Sequence, residues 1–314
     1  MGHTIGVDVG GTKIAGGLVD EAGVILARTR RDTPSTDPAA IVHDIVAVIE
    51  ELRSGGDVEA VGIGSAGFVD VERSTVLFSP NLAWRDVPVR DQVSSATGLP
   101  SVVENDANAA AWGEFRFGAA EDVVDDMVCV TVGTGIGGGV VVDGRLHRGA
   151  HGVGSELGHV RMVPDGHLCG CGNRGCVEQY ASGRALVREA RALADEHSVF
   201  AERLLEMADG DPTLITGPMV TRAAQEGDEP SGELIADLGR WLGEALASFA
   251  AILDPAVFVI GGGVSEAGEL LLGPTVAAYR RNLTGRGHRP VAEIRIATLG
   301  NDAGIIGAAD LARF

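Results

Sequence analysis

A gap-free self-match constrains this chain more than any other feature. Sliding the sequence by a constant offset lays DVGGTKIAGGLVD (residues 8–20) over TVGTGIGGGVVVD (residues 131–143). Val9 then meets Val132, Gly10 meets Gly133, Gly16 meets Gly139, Val19 meets Val142 and Asp20 meets Asp143. Two glycine-rich hairpins share composition in any case, but matched aliphatic and aspartate positions are read as an internal duplication. In the first copy, residues 4–9 alternate and are β-branched, Gly10-Gly11-Thr12 breaks the run, and residues 14–19 resume it. That is a strand, a tight turn and a returning strand. The reading is two related α/β lobes, each opening on a hairpin whose turn faces a shared cleft. A length of 314 residues agrees, because it exceeds what one core usually spans.

Between the hairpins, residues 38–53 have helical spacing, 58–64 read as a strand, 101–104 as a strand leading into Asn105-Asp106, and 107–115 as helix. After the second hairpin come a cysteine-bearing loop, helical stretches over 183–197 and 231–251, and a buried-type strand over 257–260 that runs into Gly261-Gly262-Gly263. A strand over 293–297 and a helix over 303–312 close the chain, whereas 207–230 reads as loop-rich. The alternation is that of an α/β fold with helices packed on sheets.

The glycine turns exclude two common readings. Residues 133–138 match G-x-G-x-x-G, but a dinucleotide site needs a helix to begin there, and Gly139 to Gly144 continues as strand. Gly10-Gly11-Thr12-Lys13 lacks the length and the Ser or Thr after Lys of a P-loop. What remains is a turn without side chains, whose backbone N–H groups can approach phosphate oxygens, with the Thr12 and Thr134 hydroxyls and the Lys13 ammonium as added donors. Each turn alone also fits a plain hairpin. Together with Gly262 and Gly263, the pair reads as a clamp on a triphosphate, which adds Gly10, Gly11 and Gly135 to the candidate set. Lys13 is the only lysine among 25 basic residues, a placement that coding bias or a need for a compact ammonium would each explain. Asp8, at the end of its strand, either holds Mg²⁺ or caps the turn.

Three of the four cysteines, Cys169, Cys171 and Cys176, lie in one glycine-rich loop, poor spacing for a disulfide framework but apt for metal. With a histidine they make a Cys₃His set for a closed, structural tetrahedral Zn²⁺. His159 and His167 compete for the fourth position. Cys129 reads as a small buried apolar residue. A formal charge of −19 argues against nucleic acid, and no apolar run approaches the roughly 20 residues of a membrane helix. The N-terminus passes directly into a strand without a leader pattern, so a cytoplasmic protein is expected.

Taken jointly, DVGGTK (8–13), ENDAN (104–108), GTGIGGG (133–139), GSELGHV (154–160) and CGCGNRGC (169–176) resemble the ROK family of repressors and kinases over nearly the whole chain, and within it the bacterial glucokinases. The resemblance implies an actin-like, hexokinase-type (ribonuclease H-like) two-lobed fold that closes over its substrates. It implies a small lobe over 1–107 with a C-terminal helix, 301–314, packing back on it, and a large lobe over 108–300 with a zinc knuckle at 159–176. It implies Mg-ATP-dependent phosphorylation of a hexose, glucose first, with Asp106 as general base. Asn105, Glu156, His159 and Glu178 match sugar-holding positions, and Asn81 in SPNL is a weaker candidate. By residue type alone, Asp106 also fits a helix N-cap, and Glu156 and Glu178 also fit solvated charges. The resemblance selects His159 as the fourth zinc ligand, so that one ring nitrogen faces the metal and the other the sugar.

The competing reading is a sugar-responsive regulator. Such members carry a DNA-binding helical segment ahead of the kinase-like part, whereas here a strand is read from Thr4. Fructose and N-acetylmannosamine are the rival sugars, the turns leave polyphosphate open as a donor, and the resemblance suggests a homodimer or homotetramer.

Overall fold

The computed structural model describes every residue except Met1, Gly55, Val124 and His197. His197, the expected end of one helical stretch, therefore lies outside the described residues. The strands are β1 (His3–Val9), β2 (Lys13–Val19), β3 (Ile25–Asp32), β4 (Val58–Ser65), β5 (Phe68–Val69), β6 (Val76–Phe78), β7 (Arg85–Val87), β8 (Ser101–Asn105), β9 (Met127–Val132), β10 (Ile136–Val142), β11 (Arg145–Leu146), β12 (Val257–Gly261) and β13 (Glu293–Ile296). The helices are α1 (Pro38–Arg53), α2 (Val89–Thr97), α3 (Asp106–Phe117), α4 (Glu178–Ala181), α5 (Gly183–Asp195), α6 (Glu202–Met207), α7 (Gly217–Gln225), α8 (Glu229–Leu253), α9 (Glu269–Asn282) and α10 (Ala303–Leu311). No described helix is long and apolar enough to cross a membrane.

Two five-stranded sheets repeat one plan. The first runs β3-β2-β1-β4-β8 and the second β11-β10-β9-β12-β13. In each, a hairpin sits in the middle, a third strand extends its second arm, and two later strands add beside its first arm. The duplication seen in the hairpin sequences thus extends to strand order. In the first sheet β1 pairs antiparallel with β2 and parallel with β4, and β4 pairs parallel with β8. A small sheet, β5-β6-β7, accompanies them.

The chain divides into two compact units. One comprises Met1–Cys129, Gly138–Ser155 and Thr298–Phe314, and the other Val130–Gly137 and Glu156–Ala297. Within the first unit, α1 buries Ile41, Ile45, Val48, Ile49 and Leu52, a stripe at helical spacing. Asp37 caps its first turn by accepting the Ala39 and Ala40 N–H groups. Helix α10 lies against β1 and β4 so closely that a Cβ on Gly6 would stand 1.9 Å from the Ile305 carbonyl oxygen and one on Gly62 1.7 Å from that of Ala308. Its other side meets α3, where a Cβ on Gly307 would come 1.8 Å from the Ala109 oxygen. Glycine-mediated approach of α3 to α10 accounts for residues 108–129 joining the first unit, which differs from the boundary expected at 107.

The second unit contains α4 to α9. Helix α7 lies inside the stretch read from sequence as loop-rich. Its nine residues bury only Val220, Ala223 and Ala224, and so short a stripe of mostly small side chains gives little periodic signal.

Candidate active site and metal centre

In the first unit, parallel pairing brings three strand ends side by side. Asp8 lies opposite Gly64, and Gly64 opposite Glu104; one step on, Val9 aligns with Ser65 and Ser65 with Asn105. The C-terminal edge of such strands is where α/β sheets usually bind ligands. Gly64 leaves open the space between the flanking chains, and a Cβ there would be 3.8 Å from the Asp106 Cα. Burial pushes the Asp8 carboxyl up to about 6, the like charge of Asp106 adds to the rise, and the Lys13 ammonium opposes it. A half-buried, raised carboxylate with hard oxygen donors beside a second carboxylate fits a divalent cation such as Mg²⁺.

The first glycine turn joins β1 to β2. The Gly10 N–H donates to the Lys13 carbonyl at 2.9 Å, and the Thr33 side chain and amide hold the Gly10 and Thr12 carbonyls. Thr12 and Lys13 are exposed. Asn81 sits against this turn, because a Cβ on Gly11 would be 3.0 Å from the Asn81 Cβ.

At the β8–α3 junction the N-cap is Asn105, whose Oδ1 accepts the Asn108 N–H at 3.0 Å, while its Nδ2 donates to the Gly67 carbonyl at 3.0 Å. The capping role considered for Asp106 is thereby corrected by one residue. Asp106 is the first helical residue, half-buried, with Oδ1 accepting the Ala107 N–H at 2.9 Å. Burial holds its carboxyl above the usual range, against the lowering effect of the Ala107 and Asp106 N–H groups.

In the second unit the other glycine turn is gripped from two sides. The Gly183 N–H donates to the Gly133 carbonyl at 2.8 Å, and the Arg184 N–H to that of Thr134 at 3.3 Å. Gly262, at φ +84°, packs against β9 so tightly that a Cβ would stand 2.5 Å from the Val132 oxygen. Gly133 and Gly263 have open backbone, where a Cβ would meet nothing within 4 Å. The second glycine turn and the segment at Gly262 and Gly263 therefore meet at the end of β9.

Glu178 Oε2 accepts the Ile136 N–H at 3.1 Å, and a Cβ on Gly135 would stand 2.3 Å from that oxygen. The alternative of a merely solvated charge does not hold for Glu178. Glu156 is exposed, with Oε2 4.0 Å from the His159 Nε2.

His159, Cys169, Cys171 and Cys176 bring their ligand atoms within 4.8 Å of one another. Cys169 Sγ lies 3.6 Å from His159 Nδ1, and Cys171 Sγ lies 3.7 Å from Cys176 Sγ. Tetrahedral Zn²⁺, with bonds of ~2.3 Å to sulfur and ~2.0 Å to nitrogen, places its ligand atoms roughly 3.5–3.8 Å apart. The cluster fits zinc through Nδ1, leaving Nε2 directed toward Glu156. His167 is not in the cluster; its ring packs on Tyr180 at 5.3 Å between centroids.

Residues 4–314 match the sequence model of the ROK family. The chain belongs to the ROK family. It is 51% identical over 313 residues to a glucokinase of Streptomyces coelicolor, covering 100% of this chain and 98% of the relative. It is 34% identical over 314 residues to an N-acetylmannosamine kinase of Yersinia pseudotuberculosis, covering 100% and 99%. Among solved structures, the ROK family glucokinase of Streptomyces griseus in complex with glucose and AMPPNP superposes with a TM-score of 0.90 at 52% identity, covering 99% of each chain.

Two elements of this ROK chain escaped sequence reading. Glu114, buried, accepts the Ala119, Thr298 and Leu299 N–H groups and pins the segment leading into α10. Glu104, quoted within ENDAN, makes a buried ion-pair cluster with Arg148 and Arg73. Apart from Ala119, the partners are far away in sequence, so no local spacing reveals them.

Proposed function

We propose that this chain is an ATP-dependent hexose kinase whose substrate is glucose and whose product is glucose 6-phosphate. The observation that carries this reading is the full-length likeness to the two Streptomyces glucokinases. The raised, half-buried carboxylate of Asp106 beside Asp8 supports the assignment of the chemistry.

In this reading Asp106 is the general base. It takes the proton of the sugar 6-hydroxyl as that oxygen attacks the γ-phosphorus; the bond from the γ-phosphorus to the β,γ-bridging oxygen breaks, and ADP leaves. Asn105, Glu156, His159, Glu178 and Asn81 hold sugar hydroxyls, for which amides, carboxylates and an imidazole offer fixed donors and acceptors. The backbone N–H groups of the turns at Gly11, Thr12 and at Thr134, Gly135, with Gly262, Gly263 and the Lys13 ammonium, hold the phosphates, while Gly10, whose own N–H closes the first turn on the Lys13 carbonyl, contributes only the lack of a side chain. When bound, Mg²⁺ neutralises phosphate charge, and Asp8 is the residue that would hold it. Zinc at His159 and the three cysteines is structural, since four protein ligands leave no position for water.

Three thiolate ligands and ATP as donor support a reducing, nucleotide-rich compartment, and in this reading the enzyme works in the cytoplasm. Its working state is a homodimer or homotetramer, checked by light scattering of the zinc-loaded protein.

ADP release by purified, zinc-replete protein over glucose, fructose, mannose, N-acetylglucosamine and N-acetylmannosamine tests the function. Preference for glucose is expected. Turnover of N-acetylmannosamine instead would follow the Yersinia likeness and change the substrate. No turnover of any sugar, with sugar still bound, would overturn the kinase reading in favour of a sensor.

A further inference from the structure

Glu104 has a side chain only 1% exposed, yet it carries an arrangement of partners that the phosphoryl-transfer scheme does not use. Oε1 accepts the Asn105 N–H at 2.9 Å and the Asn108 Nδ2 at 3.0 Å. The Asn105 side chain in turn accepts the Asn108 N–H, so the three residues close a ring around the strand-to-helix junction. Oε2 lies 2.8 Å from Arg148 Nε and 3.5 Å from Arg73 Nε. Neither guanidinium is free to turn. Arg148 donates to the Val71 and Asp70 carbonyls, both at 2.8 Å, and Arg73 to the Leu311 carbonyl at 3.2 Å.

A buried ion cluster of this kind is a poor source of stability, because desolvation consumes most of the Coulombic gain. What it supplies is direction. Every hydrogen-bonding group that Glu104 meets on α3 and its cap belongs to a residue adjacent to Asp106 or two positions from it. We propose that Glu104, held by Arg148 and Arg73, is a positioning residue that orients Asn105 and Asp106 toward the sugar. The inference rests on the reading of Asp106 as general base. A carboxylate displaced by about 1 Å loses on the order of 10²-fold in rate, so the rigidity of this junction bears on turnover as well as on sugar binding.

Glu104→Gln retains an oxygen for the Asn105 N–H but removes the charge that gathers the two arginines. In the full-length, zinc-loaded enzyme it should lower kcat by ~10- to 100-fold and raise the hexose KM, while the ATP KM stays within about twofold. Arg148→Lys, which keeps charge but not the fork that also reaches two carbonyls, should give a smaller loss in the same two parameters. A purely structural role would instead lower the melting temperature and the active fraction and leave both KM values alone. Where Glu104→Gln fails to fold, Arg73→Met decides, since Arg73 is on the more open side at 21% exposure and the Glu104–Arg148 pair survives. A folded variant with wild-type kcat and hexose KM overturns the proposal. Asp106→Asn, run in parallel, separates the two ideas: if it is inactive while Glu104→Gln is normal, only the positioning role falls, and if it is active, the base assignment falls.

Discussion

Glu178 bridges two features that are far apart in sequence, with one carboxylate oxygen 3.1 Å from the Ile136 amide in the second glycine turn and the other 3.9 Å from the Cys169 sulfur. Helix α4, which Glu178 opens, begins two residues after Cys176, and the chain then returns through Gly183 and Arg184 to hold the carbonyls of the same turn. The metal cluster and the glycine turn are thus built on one continuous support.

Loss of zinc should therefore be felt beyond the knuckle. Cys176→Ser is expected to abolish one equivalent of bound zinc and to cost several kcal/mol of stability, seen as a melting temperature lower by roughly 10 °C or more. Because His159 belongs to the cluster, hexose affinity measured by calorimetry should fall with the metal. A chelator-stripped protein that stays folded with unchanged hexose affinity would refute that link.

Replacing Asp106 and replacing its neighbour should have separable effects. Asp106→Ala is expected to lower kcat by at least ~10²-fold with the melting temperature preserved, since Asn105 supplies the cap. Asn105→Ala should cost about 1 kcal/mol of stability through the lost cap and raise the hexose KM. Because burial lifts the Asp106 carboxyl, the acid limb of kcat/KM should sit at higher pH than for an exposed aspartate, with activity lost as pH falls through it.

Asp8 gives a pH signature in stability. Its carboxyl is raised from 3.8 to about 6 in the folded chain, so between those values the native state holds more protons than the unfolded one. Stability from this group is present below the window and lost as pH rises through it, by up to roughly 3 kcal/mol. Without nucleotide or Mg²⁺, Asp8→Asn should melt several degrees higher than the natural protein at pH 7.5 and about equally at pH 3.5, as followed by scanning calorimetry.

The adjacent glycines Gly262 and Gly263 should respond differently to alanine. Gly262 combines φ +84° with a Cβ position 2.5 Å from a backbone oxygen, so Gly262→Ala should lose ~2 kcal/mol or more. Gly263 has open space, and Gly263→Ala should leave the melting temperature nearly unchanged while raising the ATP KM. Denaturation curves and initial rates on the two variants check this contrast.

By itself, the sequence determined the features that short-range chemistry writes: the paired glycine hairpins, the boundaries of α1 and β4 to within a residue, and the cysteine cluster. Period-2 and period-3.6 patterns report burial that neighbouring residues share, and thiol spacing reports a metal without any need for the fold. Tertiary structure decided the rest. Residue spacing alone leaves His159 and His167 both open, and only the family resemblance selects His159; the fold brings that ring to the cysteines because chain direction, and not proximity in sequence, sets which ring reaches them. Asn105 rather than Asp106 caps α3 because the exact residue at which β8 ends depends on its pairing with β4. Glu104 finds Arg148 and Arg73 only after three remote segments pack together, and Coulomb attraction between buried groups leaves no period in the sequence from which it can be read.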